Sequence, residues 1–144
     1  MNKFRTEGLL KSLGRIQKIN MEIRIRQSGI YSIIDLPEDM LGSSLGNSIK
    51  ELVNILIEKK VENILINCEK INKIDSLGLG TLLSIQKICL FSGSGVKVFN
   101  LQPQVAELLY QTRMNRLIDI CLNEEEATKE PEFDVSKKYI AVNN

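Results

Sequence analysis

The chain has 144 residues, 43% hydrophobic and 26% charged, which is enough for one soluble domain to bury a core without disulfides or metal. Its 19 Lys and Arg against 18 Asp and Glu leave a formal charge of +1, arguing against a strongly basic nucleic-acid binder and against an acidic solvating tail. There is no histidine, so Ser-His-Asp and Cys-His catalysis and every metal site built on imidazole are removed.

Cys68, Cys89 and Cys121 are far apart and form no Cys-x-x-Cys pair. They read as small core residues in a reducing cytosol. Nothing approaches the ~18 apolar residues of a membrane span. The N-terminus lacks the apolar run and cleavage site of a signal peptide. The expected location is cytoplasmic.

Residues 1–20 carry Lys3, Arg5, Lys11, Arg15 and Lys18 against Glu7 alone, and Leu9, Leu13 and Ile16 recur at helical spacing. This predicts a basic N-terminal extension, read either as a loosely packed arm or as an element that docks on a partner or a membrane surface. Met21 also fits as a start, because the globular pattern begins there.

Glu22 to Gln27 alternates with period two, and Ile30 to Leu36 is a β-branched run, so a turn at Ser28-Gly29 predicts a hairpin ended by Pro37. Leu45, Ile49, Leu52, Val53, Leu56 and Ile57 predict a helix capped by Ser43 or Ser44, with Lys59-Lys60 at its negative end. Val61 to Cys68 predicts a central strand, followed by a short polar link. Thr81 to Phe91 reads as a second, largely buried helix, broken by Ser92-Gly93-Ser94-Gly95. A strand over Val96–Leu101, a helix from Pro103 to about Arg113 and a short strand over Leu117–Leu122 follow. Glu124 to Ala127 opens a final helical turn, and 128–144 reads as a tail that is mobile or only partly ordered.

This order predicts an α/β domain over residues 21–127: a mixed sheet of four or five strands, one antiparallel hairpin followed by parallel strands with right-handed crossovers, and helices mainly on one face.

The chemistry concentrates at Ile74-Asp75-Ser76-Leu77-Gly78-Leu79-Gly80, where strand passes to helix. Asp75 is the natural N-cap, and Ser76 falls at the first helical position with its hydroxyl near solvent. Gly78 and Gly80 each cost about 1 kcal/mol of helix propensity. They make sense where another backbone or a partner surface comes close, or where they simply permit tight packing. A phosphate cradle is a weaker reading, because the Lys and spacing of a P-loop are missing. A nucleophile elbow is excluded because no Gly stands at the required offset and no histidine is present.

Asp-Ser-x-Gly-Leu-Gly at a strand-to-helix turn, within this element order, resembles the STAS domain of anti-sigma factor antagonists. The resemblance spans about Met21 to Ala127 and includes the strand Gly95-Val96-Lys97-Val98-Phe99-Asn100 and the strand Leu117-Ile118-Asp119-Ile120. It implies a STAS-like single domain that is not an enzyme and needs no cofactor. Ser76 would be phosphorylated by a serine kinase that is also the anti-sigma factor. The unphosphorylated form would bind that kinase and free the sigma factor, and a metal-dependent serine phosphatase would restore it. Asp75, Ser76, Leu77, Gly78, Leu79 and Asp39 are the expected partner-binding residues. Leu77 stands where many members have serine or threonine, which removes a second hydroxyl.

The alternative is an adaptor subunit without a phospho-switch, as in stressosome-like scaffolds or lipid-transport complexes. The acids Asp35, Glu38 and Asp39 fall in one loop expected beside the Asp75 turn. Arg113 and Arg116 flank Met114-Asn115 and read as surface cations able to meet a phosphate or partner. No direct nucleic-acid contact is expected.

Overall fold

The computed structural model describes residues 22–129. The expected N-terminal extension, and the expected tail beyond Lys129, lie outside that range. The chain folds as β1 (Arg24–Ser28), β2 (Tyr31–Asp35), β3 (Asp39–Leu41), α1 (Ser43–Glu58), β4 (Asn63–Asn67), β5 (Ile71–Ile74), α2 (Ser76–Ser92), β6 (Gly95–Phe99), α3 (Pro103–Gln111), a 3-10 turn (Met114–Arg116), β7 (Asp119–Cys121) and α4 (Glu124–Ala127).

Five strands form one sheet in the order β1-β2-β4-β6-β7. β1 is antiparallel to β2, and the remaining neighbours are parallel. The hairpin turn is Gly29-Ile30, one residue later than expected, because Ser28 pairs with Tyr31. Gly29 takes the positive φ of 59° that the first residue of such a two-residue turn needs.

Period-two alternation sends Ile34, Ile64, Ile66, Val96 and Val98 to one face of the sheet. They pack there with Ile49, Leu52 and Leu56 of α1, Leu82, Ile85 and Cys89 of α2, and Val105 and Leu109 of α3. The opposite face carries Tyr31, Ile33, Leu65, Phe99 and Cys121, joined by Ala127 of α4. The helices therefore gather mainly on one face, as the element order predicted. All three cysteines are buried.

Three further local expectations differ from the fold. The polar stretch after Cys68 contains β5, which pairs in parallel with β3 as a separate two-stranded ribbon. The cap of α1 is Gly42, not Ser43 or Ser44. The last strand is shortened to Asp119–Cys121 by the 3-10 turn, although Ile118 still enters the core. Of the expected tail, Thr128 and Lys129 are described: Thr128 Oγ1 donates to the Glu124 carbonyl at 2.9 Å, and Tyr31 Oη donates to the Lys129 carbonyl at 2.9 Å.

Candidate functional site

The β3–β5 ribbon positions the site. Leu41 is paired with Ile74, and each strand runs directly into a helix. The caps of α1 and α2, Gly42 and Asp75, are thereby set side by side. The Asp75 amide donates to the Leu41 carbonyl at 3.3 Å. Asp75 Oδ1 accepts from the Gly78 amide at 2.9 Å, as an N-cap carboxylate should. Its other oxygen lies against the α1 cap: a Cβ on Gly42 would be 3.1 Å from Asp75 Oδ2 and 3.4 Å from Met40 Cε. A side chain at residue 42 would crowd that carboxylate, which explains the glycine cap. α1 has no side-chain cap of its own. Two positive helix ends thus flank one carboxylate.

Ser76 is the first residue of α2 and is exposed. Leu77, next to it, is 59% exposed, and Met40, whose Cε lies by the Gly42 cap, is 36% exposed. One turn on, the Cβ position of Gly80 meets nothing within 4 Å, so a partner backbone has room to approach. The surface is therefore a hydroxyl set among apolar groups, with little side-chain bulk above it.

The two glycines of the motif divide between the readings left open by the sequence. Gly78 is buried, and a Cβ there would run into the Leu41 carbonyl oxygen, so it serves internal packing. Leu79 is half-buried and packs against the core. Of the six residues expected at the partner surface, Asp75, Ser76 and Leu77 stand together at the head of α2. Asp39 does not: it pairs with Ile71 at the far end of the ribbon, where its Oδ1 accepts from the Met40 amide at 2.7 Å. Sequence reasoning missed Met40 and Gly42. The available signal was a second strand-to-helix step at Leu41-Gly42-Ser43, matching Ile74-Asp75-Ser76.

The acidic loop does not converge on Ser76 either. Arg26 Nε and Nη2 donate to Asp35 at 2.7 and 3.1 Å, and its Nη1 donates to Glu124 Oε2 at 3.1 Å. Asn67 adds a bond to Asp35 Oδ1 at 2.9 Å. Burial pushes the Asp35 carboxyl up, but the bonds from Arg26 and Asn67 and the nearby arginine charges outweigh it and hold it below the usual range. The Arg26 hydrogen bond likewise holds Glu124 low. Arg26, Asp35 and Asn67 of this network line an open cleft of about 590 Å³ with Arg24, Glu38 and Lys70. Carboxylates held ionised in this way are poor proton donors near neutral pH. Burial pushes the Cys68 thiol up to about 12, which makes it a poor nucleophile. Among the described residues there is no cluster of three acidic or sulfur ligands fit for a metal, and no helix long and apolar enough to cross a membrane.

With that geometry in place, the comparisons are consistent with one another. The STAS domain profile matches residues 21–127. No curated protein matches the chain. Among solved structures, a Thermotoga maritima protein described as an anti-sigma factor antagonist is 21% identical over 79% of this chain and 97% of its own, with a TM-score of 0.69. The unphosphorylated anti-sigma factor antagonist SpoIIAA is 19% identical over 73% of this chain and 91% of its own, with a TM-score of 0.60. The phosphorylated form of the Bacillus cell fate determinant SpoIIAA is 17% identical over 73% of this chain and 95% of its own, with a TM-score of 0.56. The chain belongs to the STAS domain family and has the fold of the anti-sigma factor antagonists.

Proposed function

We propose that the chain is an anti-sigma factor antagonist, a binding module rather than an enzyme, whose docking is switched by phosphorylation of Ser76. The observation that carries this reading is the exposed Ser76 at the head of α2, followed by the exposed Leu77. In this reading the unphosphorylated surface binds a serine-kinase anti-sigma factor in the cytoplasm and so releases the sigma factor. The kinase then modifies Ser76 and is let go, and a metal-dependent serine phosphatase resets the cycle.

The local electrostatics support such a cycle. Phosphate adds about −1.5 to −2 charges and three acceptor oxygens. Two helix N-termini at this spot tolerate that charge, so the fold has no need to open. The likeness of this chain to SpoIIAA in both its unphosphorylated and phosphorylated forms agrees with that. A partner that buries the surface meets the phosphate beside Asp75, and an imperfectly paired charge at an interface costs several kcal/mol. About 2.8 kcal/mol is already a hundredfold in affinity.

The test uses the serine-kinase anti-sigma factor that the unphosphorylated chain captures. With ATP it should place one phosphate on Ser76, read by mass spectrometry, and none on Ser76→Ala. Ser76→Asp should weaken binding at least tenfold by calorimetry. Unchanged affinity would overturn the charge mechanism, and phosphate on another residue would overturn the site.

A further inference from the structure

The side of α2 turned away from the core is apolar where a surface helix is normally polar. Only Lys87 is charged in this 17-residue helix, and the residues it buries include the polar Thr81 and Gln86. Apolar side chains are left outside instead. Leu77 in the first turn is 59% exposed, and Phe91 in the last is 82% exposed, the highest value among the described large hydrophobics.

At about 100° per residue, Leu77, Gly80, Ser84, Ile88 and Phe91 fall within roughly 80° of one another and make one stripe. Gly80 is exposed with nothing within 4 Å of its Cβ position, while Ser84 and Ile88 are half-buried. The steps along the stripe are three, four, four and three residues, a palindrome centred on Ser84. A two-fold axis through Ser84 lays a second α2 antiparallel to the first. Leu77 of each copy then meets Phe91 of the other, and each Ile88 fills the hollow above the other copy's Gly80. The small serines meet in the middle, where crossing helices come closest, and the large side chains fill the ends, where they diverge. An isologous contact requires such a palindrome, and an unrelated partner has no use for one.

Charge does not oppose the pair. Bordering the stripe are Lys87 on α2, Lys50, Glu51 and Glu58 on α1 alongside, and Lys59, Lys60 and Glu62 past the end of α1. Lys73 and Asp75 stand at the other end, so the border is mixed in sign throughout. The Asp75 carboxylate turns away from the stripe, towards Gly42. Lys87 comes level with Thr81 of the second copy, which leaves the two lysines about 9 Å apart along the axis. A helix face about 25 Å long and 10 Å wide projects roughly 250 Å². That is well below the ~800 Å² per partner of a standard stable complex, so the contact belongs to the transient class.

We propose that this stripe joins two copies of the chain in a reversible, two-fold symmetric dimer through antiparallel α2 helices. Leu77 also borders Ser76, so pairing and the docking of a kinase there exclude one another. That exclusion rests on the proposed function, whereas the pairing itself does not.

Sedimentation equilibrium of the full chain over a wide range of concentration tests this. Wild type should pass reversibly from monomer to dimer. Leu77→Glu and Phe91→Lys should each dimerise at least about tenfold more weakly. An equimolar mixture of the two should recover the dimer, because the new acid of one copy faces the new base of the other and the remaining Phe91 and Leu77 still match. Gly80→Leu should fill the hollow that Ile88 needs and weaken the dimer similarly while melting no lower than wild type. Ser76→Ala should dimerise like wild type, so loss of the phospho-switch leaves the pairing standing. A wild-type chain that stays monomeric overturns the proposal. So does undiminished dimerisation by the single variants, which would place the contact elsewhere, and so does a mixture that pairs no better than its components. A monomeric chain whose capture of the kinase is lost in Phe91→Lys would assign the stripe to that partner and overturn the pairing as well.

Discussion

A methyl group on Gly78 would collide with the carbonyl oxygen of Leu41, so the first turn of α2 rests directly on the end of β3. Gly78→Ala is expected to destabilise by about 2–3 kcal/mol through overpacking, read as a lower urea midpoint. Gly80 has open space at the same test, and Gly80→Ala should gain about 1 kcal/mol of helix propensity. Similar losses from both would refute this division of roles.

Asp75 acts on stability through one bond to the Gly78 amide. Asp75→Ala should cost about 1 kcal/mol, while Asp75→Asn keeps an acceptor and should cost only a few tenths. Asp75→Asn also removes a charge beside Ser76, so phosphorylation should weaken kinase binding less in that variant. Parallel urea melts and calorimetry on the phosphorylated proteins separate the two effects.

Asp35 and Glu124 both have folded carboxyl pKa values held below their usual range around Arg26. A depressed folded pKa contributes stability that is complete above the unfolded value, near pH 4, and is lost as pH falls through the lower folded one. Stability should therefore fall on acidification below about pH 4. The Arg26 and Glu124 side chains are each 38% exposed, so solvent screening limits each pair to about 0.5–1 kcal/mol. Arg26→Met should flatten that acid limb in melts taken across pH. An unchanged slope would show that the network contributes little.

Cys68 is fully shielded and its thiol sits at about 12, so alkylation at mildly alkaline pH should leave it unmodified in the native protein. Labelling should appear only as denaturant opens the fold. Mass spectrometry of the labelled peptides would detect early reaction at Cys68, which would contradict its placement.

The hairpin, α1, β4 and β6 were legible because each holds enough residues for its hydrophobic period to register. β3 and β5 were not: three and four residues, with Asp39, Asn72 and Lys73 among them, are too short and too polar to show alternation. Asp75 and Ser76 could be placed because capping is local chemistry. Gly42 and Met40 could not, since their closeness to Asp75 depends on Leu41 pairing with Ile74, a contact no nearby residue records. The serines at 43 and 44 look like caps in isolation, and only the Asp75 carboxylate pressing on residue 42 explains the glycine.

That pairing has a last consequence. The Ser76 surface is a composite of two stretches that the chain visits before α1 and again after β4. A synthetic peptide copied from 70–82 would retain the hydroxyl but lose Met40 and the neighbouring helix end. In the proposed function, recognition would follow a conformational epitope rather than a linear string, so denaturation should abolish it as thoroughly as deleting the serine.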